Sequence, residues 1–423
     1  LFSICICFLM RTSTPVSSCK YPTRYSRYMA GPLEGIKVIE LSVAITGPLA
    51  AGLLVDQGAE CIKIEQGPTG DIMRRLATTI GDISSCFQVC NRGKRSAVID
   101  LQHPDGLKIF QNLLPDADII IQNFRSGVAE RLGVAYKDVA SIKSDIIYAD
   151  LSGFGSQGPY SHRRVYDTAI QAASGLAGNQ TGMNDEHPKF LRQLIADKLT
   201  AHAACQAITA ALFARERGAG GQHIEISMLD AAIAFLFVDG ADHEVLPEAE
   251  RVWLQSMSAS NTPIELADGH IAVAIPDDFE FHGLAEIFGV DSSDPDLERL
   301  SDRLQNLPKT KAIRQKIQQN ATSFTVEEAT IALESKQIPF GVIRDVEEVA
   351  DDPQVIANQT FVEHQHPTAG RVMQPRPPAR FHGTPTELRE PSAPNLGQHT
   401  DEVVIEAGCG DEINELRAAG IIG

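Results

Sequence analysis

Three observations predict an α/β fold built on a parallel sheet. Short β-branched runs alternate with helix-length stretches from Ile36 onward, Gly and Pro punctuate them, and the composition is that of a folded core. Of the 423 residues, 43% are hydrophobic and 22% charged, which suits two or three domains each with its own core. Ile36 to Leu41 reads as the first strand and Thr46-Gly47 as a turn. Pro48 opens a helix that runs to Gln57, and Gly58 closes it. Cys61 to Ile64 is the next strand, Asp105 to Leu114 a helix, and Asp118 to Ile121 and Ile146 to Leu151 further strands. The N-terminal half is therefore a doubly wound, Rossmann-like layer.

Asp197 to Arg217 is a long Ala-rich helix stopped by Gly218-Ala219-Gly220-Gly221. His223 to Ser227 reads as a strand and Leu229 to Val238 as an apolar helix. The predicted division is a large domain over 30–228, a linker helix over 229–246, and a smaller α+β domain over 247–344. The smaller domain holds a hairpin from Thr262 to Ile275 around Asp268-Gly269 and polar helices such as Lys311 to Gln319. Residues 345–423 are Pro-rich and read as loop, wrapping a surface built by other parts of the chain and ending in a helix from Asp411 to Ala419.

The balance of 55 acidic against 37 basic residues gives a net charge of −18. That excludes a protein whose main work is gripping nucleic acid or anionic membrane, since both need a basic footprint. No run approaches the roughly 20 apolar residues of a membrane helix, and Leu1 to Met10 is too short. The first 28 residues are acid-poor and rich in Ser, Thr and Tyr, and are read as upstream sequence outside the fold. The alternatives are a poor signal peptide or a transit peptide, the latter making the expected location mitochondrial instead of cytoplasmic. Cys61, Cys86, Cys90, Cys205 and Cys409 are scattered without metal-ligand spacing, as in a reducing compartment. No metal is expected.

Gly153-Phe154-Gly155-Ser156-Gln157-Gly158 matches the dinucleotide fingerprint in letters, but Pro159 and the pair Arg163-Arg164 follow where a helix should begin. Walker, His-Glu-x-x-His and Gly-x-Ser-x-Gly motifs are absent. The cluster Asn91-Arg92-Gly93-Lys94-Arg95-Ser96, with Asn123-Phe124-Arg125 ending another strand and Arg131 beyond, brings cations towards the ligand crevice of a parallel sheet. In an acidic protein this suggests a phosphorylated ligand. Asp197, at the start of the long helix, is read either as a simple N-cap or as a carboxylate held ionised by the helix dipole, which suits a nucleophile.

These residues carry a pattern. Leu33 to Leu41, Gly47-Pro48, Gly58 to Glu65, Gly70-Asp71, Asn91 to Asp100 and Ala117 to Gly133 resemble the family III CoA-transferases, the group of formyl-CoA transferase and the carnitine CoA-transferases. The likeness continues through Ser152 to Pro159, Tyr166 to Gly175, Arg215 to Gln222 and Pro394 to Glu402, and is weakest from about Ala241 to Gln337. The resemblance implies a Rossmann-like large domain completed by the C-terminal segment, a small domain, and two chains interlocked as a homodimer. It puts Asp197 on the family's aspartate nucleophile. It puts Ile45, Thr46, Asn123, Phe124, Arg131, Arg164, Val165 and Tyr166 on positions that hold CoA, with Ile45 where a Gln is found and Arg164 where a Lys is found. Coenzyme A and acyl-CoA would then be substrates, with a carboxylic acid as the second substrate and no permanent cofactor.

A Gly-rich loop of formyl-CoA transferase has no counterpart between Trp253 and Ile275, so formyl and oxalyl groups are not the expected cargo. The α-methylacyl-CoA racemase branch is the rival within the fold. It resembles this chain at Asp197 but uses a His-Asp pair where Tyr166-Asp167 stands, and a tyrosine titrating near 10 is a poor proton carrier at neutral pH. A CoA-binding protein without catalysis is the rival from another class, and would not require a carboxylate at Asp197.

Overall fold

The computed structural model describes residues 31–180, 187–248, 262–275, 277–386 and 390–423. The leader and Trp253 lie outside the described residues. In chain order the first strands are β1 Lys37–Glu40, β2 Glu60–Glu65, a short pair β3 Thr79–Ile80 and β4 Ile83–Ser84, β5 Arg95–Val98, β6 Ile119–Gln122, β7 Ile147–Ser152 and β8 Gln222–Ser227. Six of them form one sheet in the order β5-β2-β1-β6-β7-β8, with every neighbouring pair parallel. Counting only sheet strands along the chain, this is the order 3-2-1-4-5-6 of a doubly wound fold, whose switch point lies between β1 and β6. The sheet forms because Val38, Ile39, Ile62, Ile64, Ile119, Ile120 and Ile121 are apolar on both faces, so each strand must be covered twice.

The covering helices are α1 Thr46–Val55, α2 Ser85–Asn91, α3 Pro104–Leu113, α4 Val128–Leu132, α5 Tyr136–Ile142, α6 Asp167–Ala173, α7 Leu176–Asn179, α8 Ile195–Ala214 and α9 Met228–Leu236. On one face Ala50, Ala51 and Leu54 of α1 meet Ala201, Ala204, Ile208 and Leu212 of α8 over the strands. Small alanines at these positions let the two helices approach closely. On the other face Ile109, Phe110 and Leu113 of α3 share a core with Val403, Val404, Leu416 and Ile422, so the C-terminal segment completes this layer. It also protects the β5 edge, because Val98 N–H donates to Thr400 Oγ1 at 3.0 Å and Ile99 bridges Ile422.

Residues 264–342 hold a separate core around Ile271, Phe281, Leu284, Phe288 and Leu333. Strands β9 Ile264–Glu265, β10 His270–Val273 and β11 Phe340–Val342 form its antiparallel sheet, and β9-β10 is the hairpin expected around Asp268-Gly269. Two expectations are corrected. The stretch 229–246 is not one linker helix: α9 ends at Leu236, and a turn held by Asn179 Nδ2 donating to Gly240 O at 2.8 Å separates it from Asp242–Val245. The C-terminal segment is not mainly loop either, for β12 Phe361–His366 and β13 Gly370–Pro375 pair in full register and Thr400–Glu406 is helical. Pro367 lies in the connecting turn and Pro375 at a strand end, where neither removes a ladder bond that matters.

A buried charge network fixes the connection from β1 to α1. Glu40 is fully buried and accepts from Lys63 Nζ at 2.7 Å and Lys94 Nζ at 2.6 Å. Burial pushes its carboxyl up, but Lys63 and Lys94 outweigh this and hold it down at about 2. Lys63 also bonds Ser42 O at 2.8 Å and pairs with Asp71 at 3.0 Å, while Asp71 accepts the Ala44 N–H at 3.0 Å. Ala44 is thereby held in a left-handed conformation, φ 68°, that a non-glycine residue rarely adopts. Lys94 further bonds Pro48 O at 2.7 Å and Asn91 Oδ1 at 2.9 Å. Replacing Lys94 by Met (Lys94→Met) removes one partner of a buried pair and is expected to destabilise the fold by about 3–5 kcal/mol in urea unfolding. A role for Lys94 confined to ligand binding would instead leave unfolding unchanged and raise only the KM for CoA.

Candidate active site

The loops after β1 and β6 meet at the switch point, where an open parallel sheet forms its ligand crevice. Asn123 stitches them together: its Oδ1 accepts the Val43 N–H at 2.9 Å and its Nδ2 donates to Val43 O at 2.8 Å. Gly47 is required in the same turn, since a Cβ there would lie 2.3 Å from Ser42 Cβ and Oγ. Ile45 and Thr46, both buried, then begin α1.

Asp197 reaches this point from α8. Its Oδ1 accepts a hydrogen bond from the Thr46 hydroxyl, and its N–H donates to Asp167 Oδ2 at 3.0 Å. Met228 Sδ lies 3.9 Å from Thr46 Oγ1 and closes one side with an apolar surface. Asp197 is not the N-cap that the sequence suggested. The helix begins at Ile195 after Leu194, so Asp197 is its third residue and points out of the first turn. Nor is its carboxyl held down by the helix end. Burial pushes it up, the Thr46 hydroxyl pulls it down, the Asp167 charge raises it again and Lys198 lowers it, leaving it at about 6. A half-buried carboxylate of this kind, ionised at neutral pH yet poorly solvated, is equipped to act as a nucleophile.

Asn123 braces this turn and Ile45 packs beside it on Met73, Ile83 and Phe87, so of these residues Thr46 and Asp197 converge. The basic cluster does not, and the expectation that it presents cations to a phosphate is corrected. Lys94 and Asn91 are buried beneath the β1 turn, with Asn91 Nδ2 donating to Phe87 O at 3.0 Å. Arg92 forms a two-pronged pair with Asp56 at 2.9 and 2.7 Å, and Arg95 pairs with Glu406 at 2.5 Å on the C-terminal helix. Their charge is used up by internal acids, which a net charge cannot reveal. Phe124 is half-buried, while Arg131, Arg164 and Tyr166 are exposed. Val165 packs on Gly153, where an added Cβ would come within 1.9 Å of its Cγ1. Gly153 thus serves close packing after β7, whereas Gly155 and Gly158 take positive φ, 92° and 90°, that favours glycine.

Sequence reasoning missed Asp167 and Gln171. Asp167 is buried at the start of α6 and its Oδ1 accepts from Gln171 Nε2 at 2.6 Å, a spacing of one helical turn that was available in the sequence. Potential metal ligands lie elsewhere: Asp150, His223 and Glu225 have ligand atoms within 4.8 Å of one another on β7 and β8. They project from the sheet face opposite the one that α8 covers, as strand alternation requires. Among the described residues no helix is long and apolar enough to cross a membrane.

Comparison with known proteins agrees with this architecture. The family model described as CoA-transferase family III matches residues 33–400. The succinate–glutarate CoA-transferase of Agrobacterium fabrum is 31% identical over 385 residues, covering 89% of this chain and 95% of that protein. The acetyl-CoA:oxalate CoA-transferase of Acetobacter aceti is 31% identical over 379 residues, covering 87% and 94% respectively. The crystal structure of a CAIB/BAIF family protein from Brucella suis superposes with a TM-score of 0.77 at 28% identity, covering 89% of this chain and all of that one. The chain belongs to the CoA-transferase family III.

Proposed function

We propose that the protein moves CoA from an acyl-CoA donor to a carboxylic acid through covalent intermediates on Asp197. The observation that carries the reading is the Asp197 carboxylate, desolvated and hydrogen-bonded to Thr46 at the switch point of the sheet. Its oxygen attacks the thioester carbonyl, the C–S bond breaks, and CoA leaves as thiolate from an acyl-aspartyl anhydride. The thiolate attacks the aspartyl carbonyl, giving an aspartyl-CoA thioester and releasing the donor acid. The acceptor carboxylate attacks that thioester, expelling thiolate and forming a second anhydride. Thiolate then attacks the acceptor's carbonyl, which yields the new acyl-CoA and restores Asp197. No proton is gained or lost overall. Water must be kept away from both anhydrides, since hydrolysis would discard the acyl activation.

Short dicarboxylic acids are the acceptors to test first, because the relative from Agrobacterium fabrum is named for succinate and glutarate. Oxalate belongs in the same panel, because the relative from Acetobacter aceti is named for it and the expectation against oxalyl groups rests only on a missing loop. The racemase reading lacks its imidazole, as Tyr166 stands at that position. We also read the chain as an interlocked homodimer. Exposed Phe213, Phe235, Phe237, Val238 and Leu246, at 64, 46, 43, 83 and 64%, support a partner surface beside α8 and α9.

Two measurements test the mechanism. Asp197→Ala is expected to abolish exchange of labelled CoA between acyl-CoA and free acid, and hydroxylamine is expected to trap an acyl-aspartate in the unmodified enzyme. Exchange surviving in Asp197→Ala would overturn the proposal. The nucleophile works only when deprotonated, so exchange is expected to rise with pH through about 6 and level off above it. Thr46→Val removes the hydroxyl that stabilises the carboxylate. Its acid limb is therefore expected to move to higher pH, with a loss of roughly tenfold at neutral pH, since hydrogen bonds to charged groups contribute about 1.5–3 kcal/mol.

A further inference from the structure

The start of α8, like that of α1, lacks a side-chain cap of its own. Leu194, at the N-cap, offers no side-chain hydrogen bond, although the first amides of any helix need acceptors. One acceptor comes from another element: Asp167 Oδ2, at the start of α6, takes the N–H of Asp197 itself at 3.0 Å. Asp167 is 1% exposed, and its other oxygen is held by Gln171 Nε2 at 2.6 Å. Gln171 is fully buried and also grips the chain leading into α8. Its Oε1 accepts the Leu191 N–H at 2.9 Å, and its Nε2 lies 3.3 Å from both Leu191 O and Gln193 O.

We propose that Asp167 is a positioning residue for the nucleophile, a buried carboxylate that, with Gln171, grips the first turn of α8 by the Asp197 amide and sets the direction in which the Asp197 side chain leaves the helix. The inference rests on the Asp197 reading above. A purely structural cap would serve equally well on any of the free amides of this turn. This one is bonded to the residue that carries the reacting oxygen, so a shift of the amide moves the carboxylate directly. The same contact brings a second negative charge beside the nucleophile, which keeps Asp197 basic as burial does. The groups that face Asp197 are Thr46 from α1, itself backed by the uncharged Met228 of α9, Asp167 from α6, Lys198 from its own helix and the Cys86 thiol from α2.

The test compares Asp167→Asn, Gln171→Met and Asp197→Asn in the full-length enzyme, by CoA exchange across pH with thermal unfolding to count folded protein. Asp167→Asn keeps the size and an acceptor oxygen but removes the charge and places a donor against Gln171. Its kcat is expected to fall roughly tenfold to a hundredfold, as for a small misplacement of reacting groups, while the KM for acyl-CoA changes less than about twofold. Its acid limb is expected to move to lower pH, because the raising charge is gone. Gln171→Met is expected to lower kcat in the same way but less, again with KM held. An Asp167→Asn enzyme with unchanged kcat and acid limb overturns the proposal, as does a loss that follows only the fraction of folded protein. If Asp167→Asn does not fold, Gln171→Met decides: reduced kcat at constant KM supports the proposal, and an unchanged enzyme overturns it. Exchange surviving in Asp197→Asn sinks the nucleophile reading instead, whereas an inactive Asp197→Asn beside a normal Asp167→Asn sinks the positioning role alone.

Discussion

The site depends on one buried carboxylate, Glu40, at the end of the first strand. A lone ion here would not remain charged, because removing it from water costs far more than a folded protein can spare. Lys63 and Lys94 keep it ionised, and each lysine gives one further donor to the backbone that follows, Lys63 to Ser42 O and Lys94 to Pro48 O. Such buried pairs are weak evidence for net stability, since apolar replacements of equal volume often do as well. What this network supplies is geometry. Lys63 joins Ser42 O to Asp71, and Asp71 holds the strained Ala44, so the turn into α1 has one conformation. Thr46 is the next residue but one after Ala44, and its hydroxyl donates to the Asp197 carboxylate.

The Asp197 carboxyl itself is tuned by opposing effects. Desolvation and the Asp167 charge raise its proton affinity, while Thr46 and Lys198 lower it. With the balance near 6, the carboxylate is the major form of Asp197 at neutral pH. A stronger desolvation would make the oxygen more reactive but leave fewer of them charged. A weaker one would leave a carboxylate as well hydrated, and as poor a nucleophile, as acetate in water. The Thr46 hydroxyl therefore compensates burial in the direction of charge, and Met228 excludes water from the same side.

Much of the fold was legible because parallel strands buried on both faces write themselves as short β-branched runs, as at Ile36 to Leu41 and Ile146 to Leu151. The hairpin Phe361–His366 with Gly370–Pro375 was hidden because prolines at its turn and end read as loop, although proline is tolerated at both places. The cluster from Asn91 to Ser96 misled for an electrostatic reason. Cations near strand ends look like ligand groups until the internal acids are known, and Glu40, Asp56 and Glu406 are far from them in sequence. Asp197 was singled out by family pattern. Its local geometry was not legible, because the acceptor for its amide comes from Asp167, 30 residues earlier, where spacing rules for a single helix do not reach.

The sheet order is that of dinucleotide-binding folds, yet the first turn carries no phosphate fingerprint, and the glycines that spell one lie after β7. In a dinucleotide site the first βα turn must be open, so that the helix N-terminus can receive a pyrophosphate. Here that turn is drawn shut by Asn123 across Val43 and by Gly47 against Ser42, and its end at Thr46 is a buried hydroxyl aimed at a carboxylate. The crevice at the switch point is thus reassigned from holding a charge to presenting one. Fold alone permits both uses. The difference lies in which element crosses the crevice, and in this chain α8 crosses it, bringing Asp197 to the place where a nucleotide fold would leave room for phosphate.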